Sequence, residues 1–306
     1  MLAYLVDAFT HERFKGNRAG VVFDADQLSR LERQQIAAEI AAPESAFISR
    51  SNVADYKVEF FTPTTEVNFC GHATIATFYM LAAVGLRSFD SSGRIELTQE
   101  TKAGILPISI QKEGEQIRVS MKQRKPQFAL IDVAPSAVAT ALNIKPAQLN
   151  GELPVSLSNT GNWHLMIPVG SKAVLDAINY DREKLSRILS NMGAITAHVF
   201  CVGQNNEYFA RNFCPTIGIP EDPATGAAAG AFAAYLAREK ILTEPVNRIR
   251  IVQGEAMGRT SQIDVCVAIQ DGEVQEVEVS GTATPSFVLS HYEDVANKPS
   301  ACKVSS

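Results

Sequence analysis

The sequence lacks a long apolar run, a basic stretch and any closely spaced cysteine pair, and each absence excludes a class of protein. The longest apolar segment, Gly226 to Ala237, is rich in small residues and shorter than a bilayer-spanning helix. The start, Met1 to Phe9, carries no basic residue and meets Asp7 early, so it reads as a first strand and not as a signal peptide. A soluble, cytoplasmic protein with no membrane partner is expected. No Lys/Arg run is interleaved with aromatics and the formal net charge is -5, which argues against a nucleic-acid partner. Five cysteines (Cys70, Cys201, Cys214, Cys266, Cys302) are odd in number and scattered without a CxxC, so neither a disulfide framework nor a zinc knuckle is indicated. Five histidines are equally dispersed, and no HxxxH puts two on one helix face; no metal site is expected.

What remains is an ordinary globular composition, 46% apolar and 20% charged, over 306 residues. That length predicts two halves. The chain repeats itself. Gly16-Asn17 feeds the apolar run to Phe23, and Gly161-Asn162 feeds the run to Pro168. Later, Pro63 precedes Gly71 by eight residues and Pro215 precedes Gly226 by eleven, as if the second copy held a three-residue loop insertion. After each glycine comes a helix that is apolar nearly all round, His72 to Ala83 and Ala227 to Ala237. Such a helix must be buried on all sides, as in a sheet wrapped around it. Two amphipathic helices, Ala25 to Ile40 and Tyr180 to Met192, fall one per half. Short alternating segments predict strands at 56–61, 94–98, 106–111, 116–121, 208–213, 249–252, 264–269 and 273–279. Met121 to Ala134 reads as the linker. The expected class is α+β: a half over 1–122, a second over 123–283, and a polar tail over 293–306.

Several residues could carry chemistry. The first-turn amides of helices starting near Gly71 and Gly226 could converge on one carboxylate; the alternative is that both glycines relieve crowding at a strand-to-helix turn. Glu44, at a Pro-fixed turn entering an apolar strand, could be desolvated and tuned for acid/base work, or could be a solvated loop carboxylate. Asp222 could serve the site or cap the second helix. His72, in the first turn of its helix, would have its cation disfavoured and act as a neutral donor, or be a structural histidine. Cys70, just ahead of Gly71, could be a thiolate, and two facing thiols would suggest a racemase, but the matching position is Thr225.

Together, Pro43-Glu44-Ser-Ala-Phe47, Cys70-Gly71-His72-Ala73-Thr74 and Glu221-Asp222-Pro223-Ala224-Thr225-Gly226 resemble the PhzF-like (phenazine biosynthesis-like) family, as do the Gly16-Asn17 turn and Gln253-Gly254 through Arg259. The resemblance implies a diaminopimelate-epimerase-like fold of two pseudo-symmetric halves, each a strongly curved, mostly antiparallel sheet around a central helix. A late strand, 284–290, would cross back to the first half. It further implies a cofactor-independent isomerase acting on a small carboxylate-bearing metabolite, often as a homodimer. By motif, Glu44 is the implied acid/base, with His72 and Asp222 as its partners. Asn17, Cys70, Gly71, Thr225, Gly226 and Ala227 would line the substrate site. Ala227 stands where many relatives have Ser. A two-base racemase using Cys70 and Asp222, or a non-catalytic binding protein, are the alternatives.

Overall fold

The computed structural model describes residues 2–290; His291, Cys302 and the tail expected over 293–306 lie outside them. In chain order the first elements are β1 (Leu2–Ala8), β2 (Asn17–Val22), α1 (Arg30–Ile40), β3 (Glu44–Ser49), β4 (Tyr56–Phe61), β5 (Glu66–Val67), α2 (Gly71–Ala83), β6 (Arg94–Thr101), β7 (Gly104–Glu113) and β8 (Gln116–Lys122). The rest are β9 (Gln127–Ala129), α3 (Pro135–Ala141), β10 (Ser156–Asn159), β11 (Trp163–Pro168), α4 (Lys172–Ala177), α5 (Arg182–Met192), β12 (Thr196–Val202), β13 (Glu207–Cys214), β14 (Ile219–Asp222), α6 (Gly226–Arg238), β15 (Val246–Gln253), β16 (Ser261–Gln270), β17 (Glu273–Gly281) and β18 (Ala283–Ser290).

The strand pairings repeat. β1 pairs antiparallel with β2, β2 parallel with β3, β3 antiparallel with β4, and β4 parallel with β6, which leads through β7 to β8. β10 through β17 repeat the sequence: β10–β11 antiparallel, β11–β12 parallel, β12–β13 antiparallel, β13–β15 parallel, then β16 and β17. β8 pairs with β17, which joins the two sets into one large, curved, unclosed α+β sheet. β18 returns to lie antiparallel against β1. The parallel steps are bridged by α1 and α2 in the first set, and by α4 with α5 and then α6 in the second, so a helix crosses over where a hairpin could not reach.

α2 and α6 sit inside this sheet. Ten of the thirteen residues of α2 and eleven of the thirteen of α6 are buried, so neither helix has a face for solvent. Ala, Gly and Thr on both helices let the strands approach closely. α3, α4 and α5 pack a separate core against β10 to β13.

Three expectations need correction. The helix read over Ala25 to Ile40 is broken: a single 3-10 turn spans Ala25–Gln27, and α1 starts only after Ser29, which forms a capping box with Glu32. The stretch Met121 to Ala134, read as a linker, contains the end of β8 and all of β9, which pairs with β10. The interval after Pro215, three residues longer than its counterpart, forms a 3-10 turn and then β14, the strand that carries Asp222.

Gly16 shows how tightly the turn before β2 is made. Its φ is +64°, and a Cβ there would lie 2.2 Å from the Ala8 carbonyl oxygen. Gly16→Ala is expected to lose about 1–3 kcal/mol from backbone strain alone, with the clash adding to it, and to displace the adjoining Asn17. Urea unfolding measures the first effect.

Candidate active site

The parallel register of β2 and β3 sets Glu44 opposite Ala19. Asn17 and Ala19 share a face of β2, because side chains alternate along a strand, so Glu44 and Asn17 point to the same side. α2 brings His72 to that place, and β14 brings Asp222 from the second set of strands. Glu44 Oε2 lies 3.3 Å from His72 Nε2. Asn17 Nδ2 donates to Asp222 Oδ1 at 2.7 Å and to the Ala224 carbonyl at 3.1 Å, and lies 3.2 Å from His72 Nδ1. Because an amide nitrogen only donates, Nδ1 is best unprotonated, which puts the ring proton on Nε2, facing Glu44.

Burial governs the ionisation here. It raises the Glu44 carboxyl to about 7, and nothing offsets it. Burial also raises Asp222, to about 6; the His72 ring, the Thr225 hydroxyl and Asn17 pull the other way, while the Glu44 charge adds to the rise. Burial lowers His72 below its ordinary value, against the opposing pull of Asp222, so the ring is neutral at physiological pH. Cys70 is pushed well above the usual thiol range, first by burial and then by the Glu44 charge. Cys70 therefore stays a thiol, 3.4 Å from His72 Nδ1.

Glu44, Cys70 and His72 place three potential metal-ligand atoms within 4.8 Å of one another. Holding a metal there would require Cys70, whose thiol burial pushes up, to release its proton.

The helix starts differ from those at the periphery. Ser29, Ser171 and Asp181 cap α1, α4 and α5 with their side chains. Cys70 and Thr225, ahead of α2 and α6, are extended and make no side-chain cap bond. At Gly71 a Cβ would meet only Met121 Cε, at 3.8 Å, so crowding does not require the glycine; at Gly226 a Cβ would touch Phe9 and Val279 at 3.4 Å. A cavity of about 350 Å³ opens beside Ala227 and Met121, with Phe69, Arg124, Thr160 and Asn162 in its wall.

The nine residues singled out from the sequence thus fall at one end of the paired helices, with Thr225 in an unexpected role. Its hydroxyl donates to Asp222 Oδ2 and accepts from Asn212 Nδ2 at 2.9 Å and Gln253 Nε2 at 3.2 Å, which leaves it nothing for a ligand. Asn212 and Gln253, which complete this set, are not evident as site residues from the sequence; the available signals were the predicted strand 208–213 for the first and the Gln253-Gly254 segment of the resemblance for the second.

The sequence profile of the phenazine biosynthesis-like protein family, PhzC-PhzF, matches residues 6–288. The chain belongs to this family. It is 38% identical over 290 residues to the "uncharacterized isomerase YddE" of Escherichia coli (strain K12), covering 93% of this chain and 96% of that one. It is 30% identical over 279 residues to the trans-2,3-dihydro-3-hydroxyanthranilate isomerase of Pseudomonas aeruginosa, covering 90% and 94%. Among solved structures, the PhzF-family phenazine biosynthesis protein of Bacillus anthracis superimposes with a TM-score of 0.86 at 30% identity, over 94% of this chain and 98% of that one. This PhzF-family chain is an enzyme, an isomerase as its named relatives are. No helix among its described residues is long and apolar enough to cross a membrane.

Proposed function

We propose that this PhzF-family enzyme moves a proton beside the carboxylate of a small metabolite, without a cofactor, using Glu44 as the acid/base. The observation that carries the reading is the state of Glu44: a half-buried carboxyl raised to about 7 and 3.3 Å from a neutral His72. A group with that pKa can both take and return a proton near neutrality. Glu44 removes a proton from the carbon next to the carboxylate, and the charge left behind spreads toward that carboxylate. The first-turn amides of α2 and α6, at Gly71 and Gly226, hold it, and the uncapped helix starts support this part of the reading. Glu44 then returns the proton to a second carbon on the same face, since one base reaches one face only. A 1,3 shift suits this geometry, whereas inversion at one carbon needs a second acid opposite. The reading takes the halves as 1–122 and 123–283, with 284–290 completing the first.

The Pseudomonas aeruginosa relative is named for trans-2,3-dihydro-3-hydroxyanthranilate, and a cyclic unsaturated carboxylate of that kind is the substrate class this reading takes. Incubation in D₂O with cyclic unsaturated acids and small amino acids, read by proton NMR, tests the reading. Deuterium should appear at the carbon that receives the proton and, as the reaction reverses, at the carbon beside the carboxylate; a ligand that binds without any exchange would count against it. The rival pairing of Cys70 with Asp222 requires a thiolate, which burial and the neighbouring carboxylates oppose.

Ala227 lies in the first turn of α6 and in the cavity wall. Ala227→Ser adds a hydroxyl donor there. Carboxylate affinity is expected to rise about fivefold, the size of one net hydrogen bond, measurable by isothermal titration calorimetry.

A further inference from the structure

The two half-buried carboxyls of the site are treated differently by their surroundings. Asp222 receives a donor on each oxygen: Asn17 Nδ2 on Oδ1 at 2.7 Å and the Thr225 hydroxyl on Oδ2. Neither donor can accept in return. An amide nitrogen has no lone pair to offer, and Thr225 Oγ1 already takes Asn212 Nδ2 and Gln253 Nε2 on its two lone pairs. The orientation of Gln253 is fixed independently, because its Nε2 also donates to the Asp222 main-chain carbonyl at 2.6 Å, where a flipped amide would set oxygen against oxygen. Asn212 and Gln253 are both fully buried, on β13 and β15, and Asn212 is the antiparallel partner of Asp222.

We propose that Asn212 and Gln253 are positioning residues: by filling both lone pairs of Thr225 Oγ1 they direct its single proton to Asp222 Oδ2, which keeps Asp222 a fixed anion and leaves Glu44 as the carboxyl that changes protonation. Both bonds are made to the carboxylate form, and a proton added at Asp222 would find no acceptor in Asn17 Nδ2 or the Thr225 hydroxyl, so its protonation is disfavoured. Asp222 is tied to Asn17, whose amide nitrogen lies 3.2 Å from His72 Nδ1, while Nε2 of the same ring lies 3.3 Å from Glu44. The arrangement deepens the reading of Glu44 as proton carrier and rests on it.

The test follows the carboxyl groups directly, by ¹³C NMR of protein labelled at the aspartate and glutamate side-chain carboxyls, with Asp222→Asn and Glu44→Gln used for assignment. The ionisable groups around Asp222 are His72 and Cys70 at the start of α2, Glu44 on β3 and Cys214 on β13. In wild-type protein Asp222 should be ionised at pH 7 while Glu44 is partly protonated. Gln253→Met removes one donor from Thr225 and frees a lone pair. The Asp222 midpoint should then rise by about one pH unit, and kcat should fall about tenfold with KM little changed. Thr225→Ser keeps the hydroxyl and should leave the Asp222 midpoint where it is in wild type. A wild-type Asp222 that is protonated at pH 7 overturns the proposal, and this measurement needs no variant to fold. An unmoved midpoint in folded Gln253→Met overturns it as well. The titration is read without turnover, so it is separate from the fate of Glu44 as catalyst, which Glu44→Gln decides.

Discussion

Replacing Glu44 with Gln lowers substrate proton exchange by about 10²- to 10⁴-fold and, in the same protein, raises the stability of the fold above pH 7. The first effect follows from removing the carboxyl proposed to carry the proton. The second follows from linkage. Glu44 has an ordinary value of 4.5 and is raised to about 7 in the folded protein. Below pH 4.5 it is protonated whether the chain is folded or not, and it costs nothing. Between 4.5 and 7 the unfolded chain ionises it first, so stability falls as pH rises. Above 7 the full cost is present, about 3 kcal/mol at 1.36 kcal/mol per pH unit. Gln cannot ionise and escapes that cost. The wild-type and variant melting temperatures should therefore diverge between pH 5 and 8, with the variant higher, in thermal unfolding followed by circular dichroism. Catalysis has the opposite dependence. A base must be ionised to act, so kcat/KM should decline as pH falls below about 7. Asp222 responds to the Glu44 charge, so the measured midpoints belong to the pair. A folded variant that retains turnover within tenfold of wild type would remove Glu44 from the mechanism.

What the sequence made legible was set by local signals. The repeat was visible because a Gly-Asn turn and a glycine-led apolar helix each leave a mark within a dozen residues, and the buried helices could be read from composition alone. β9 left no such mark: it has three residues and exists through its pairing with β10. α3 begins with Pro135, which suits the first turn of a helix as well as it suits a linker. The start of α1 was in fact written in Ser29 and Glu32, whose capping box divides a continuous-looking pattern. Within the site, Glu44, His72 and Asp222 stood in recognisable motifs. The committed state of the Thr225 hydroxyl did not show, because its two donors arrive from β13 and β15, and only folding brings them to one oxygen.

Asp7 illustrates the same limit and carries the second large effect. In the sequence it merely interrupts an apolar start; in the structure it is fully buried and ties distant segments together. Its Oδ1 accepts from Arg18 Nε at 3.0 Å and from Arg259 Nη2 at 2.8 Å, a partner 252 residues away. Its Oδ2 accepts from the Phe14 amide at 2.8 Å and from the Ser286 hydroxyl on β18. Arg259 also donates to the main-chain carbonyls of Gly16 and Lys15, at 2.8 and 2.9 Å, which fixes the turn that presents Asn17. Burial pushes the Asp7 carboxyl up, but Arg18, Ser286 and the Phe14 amide outweigh it and hold the group below its ordinary value. The stability it contributes is therefore complete above the unfolded value of 3.8 and is lost as pH falls through the lower folded one. Asp7→Ala leaves four donors facing an empty acceptor. Removing one partner of a buried ion pair costs about 3–5 kcal/mol; both arginines keep about a quarter of their side-chain surface exposed, so the lower end, about 3 kcal/mol, is expected in urea unfolding at pH 7. Asp7→Asn should recover little, because its amide nitrogen would meet either the arginines or the Phe14 amide, donor against donor. A loss below about 1 kcal/mol for Asp7→Ala would show that water replaces the carboxylate and that the joint between β1, β18 and the Arg259 turn holds without it. At the expected loss, turnover should also drop in the variant under conditions where it remains folded, since the Gly16 turn and Asn17 would no longer be held against Asp222 and His72.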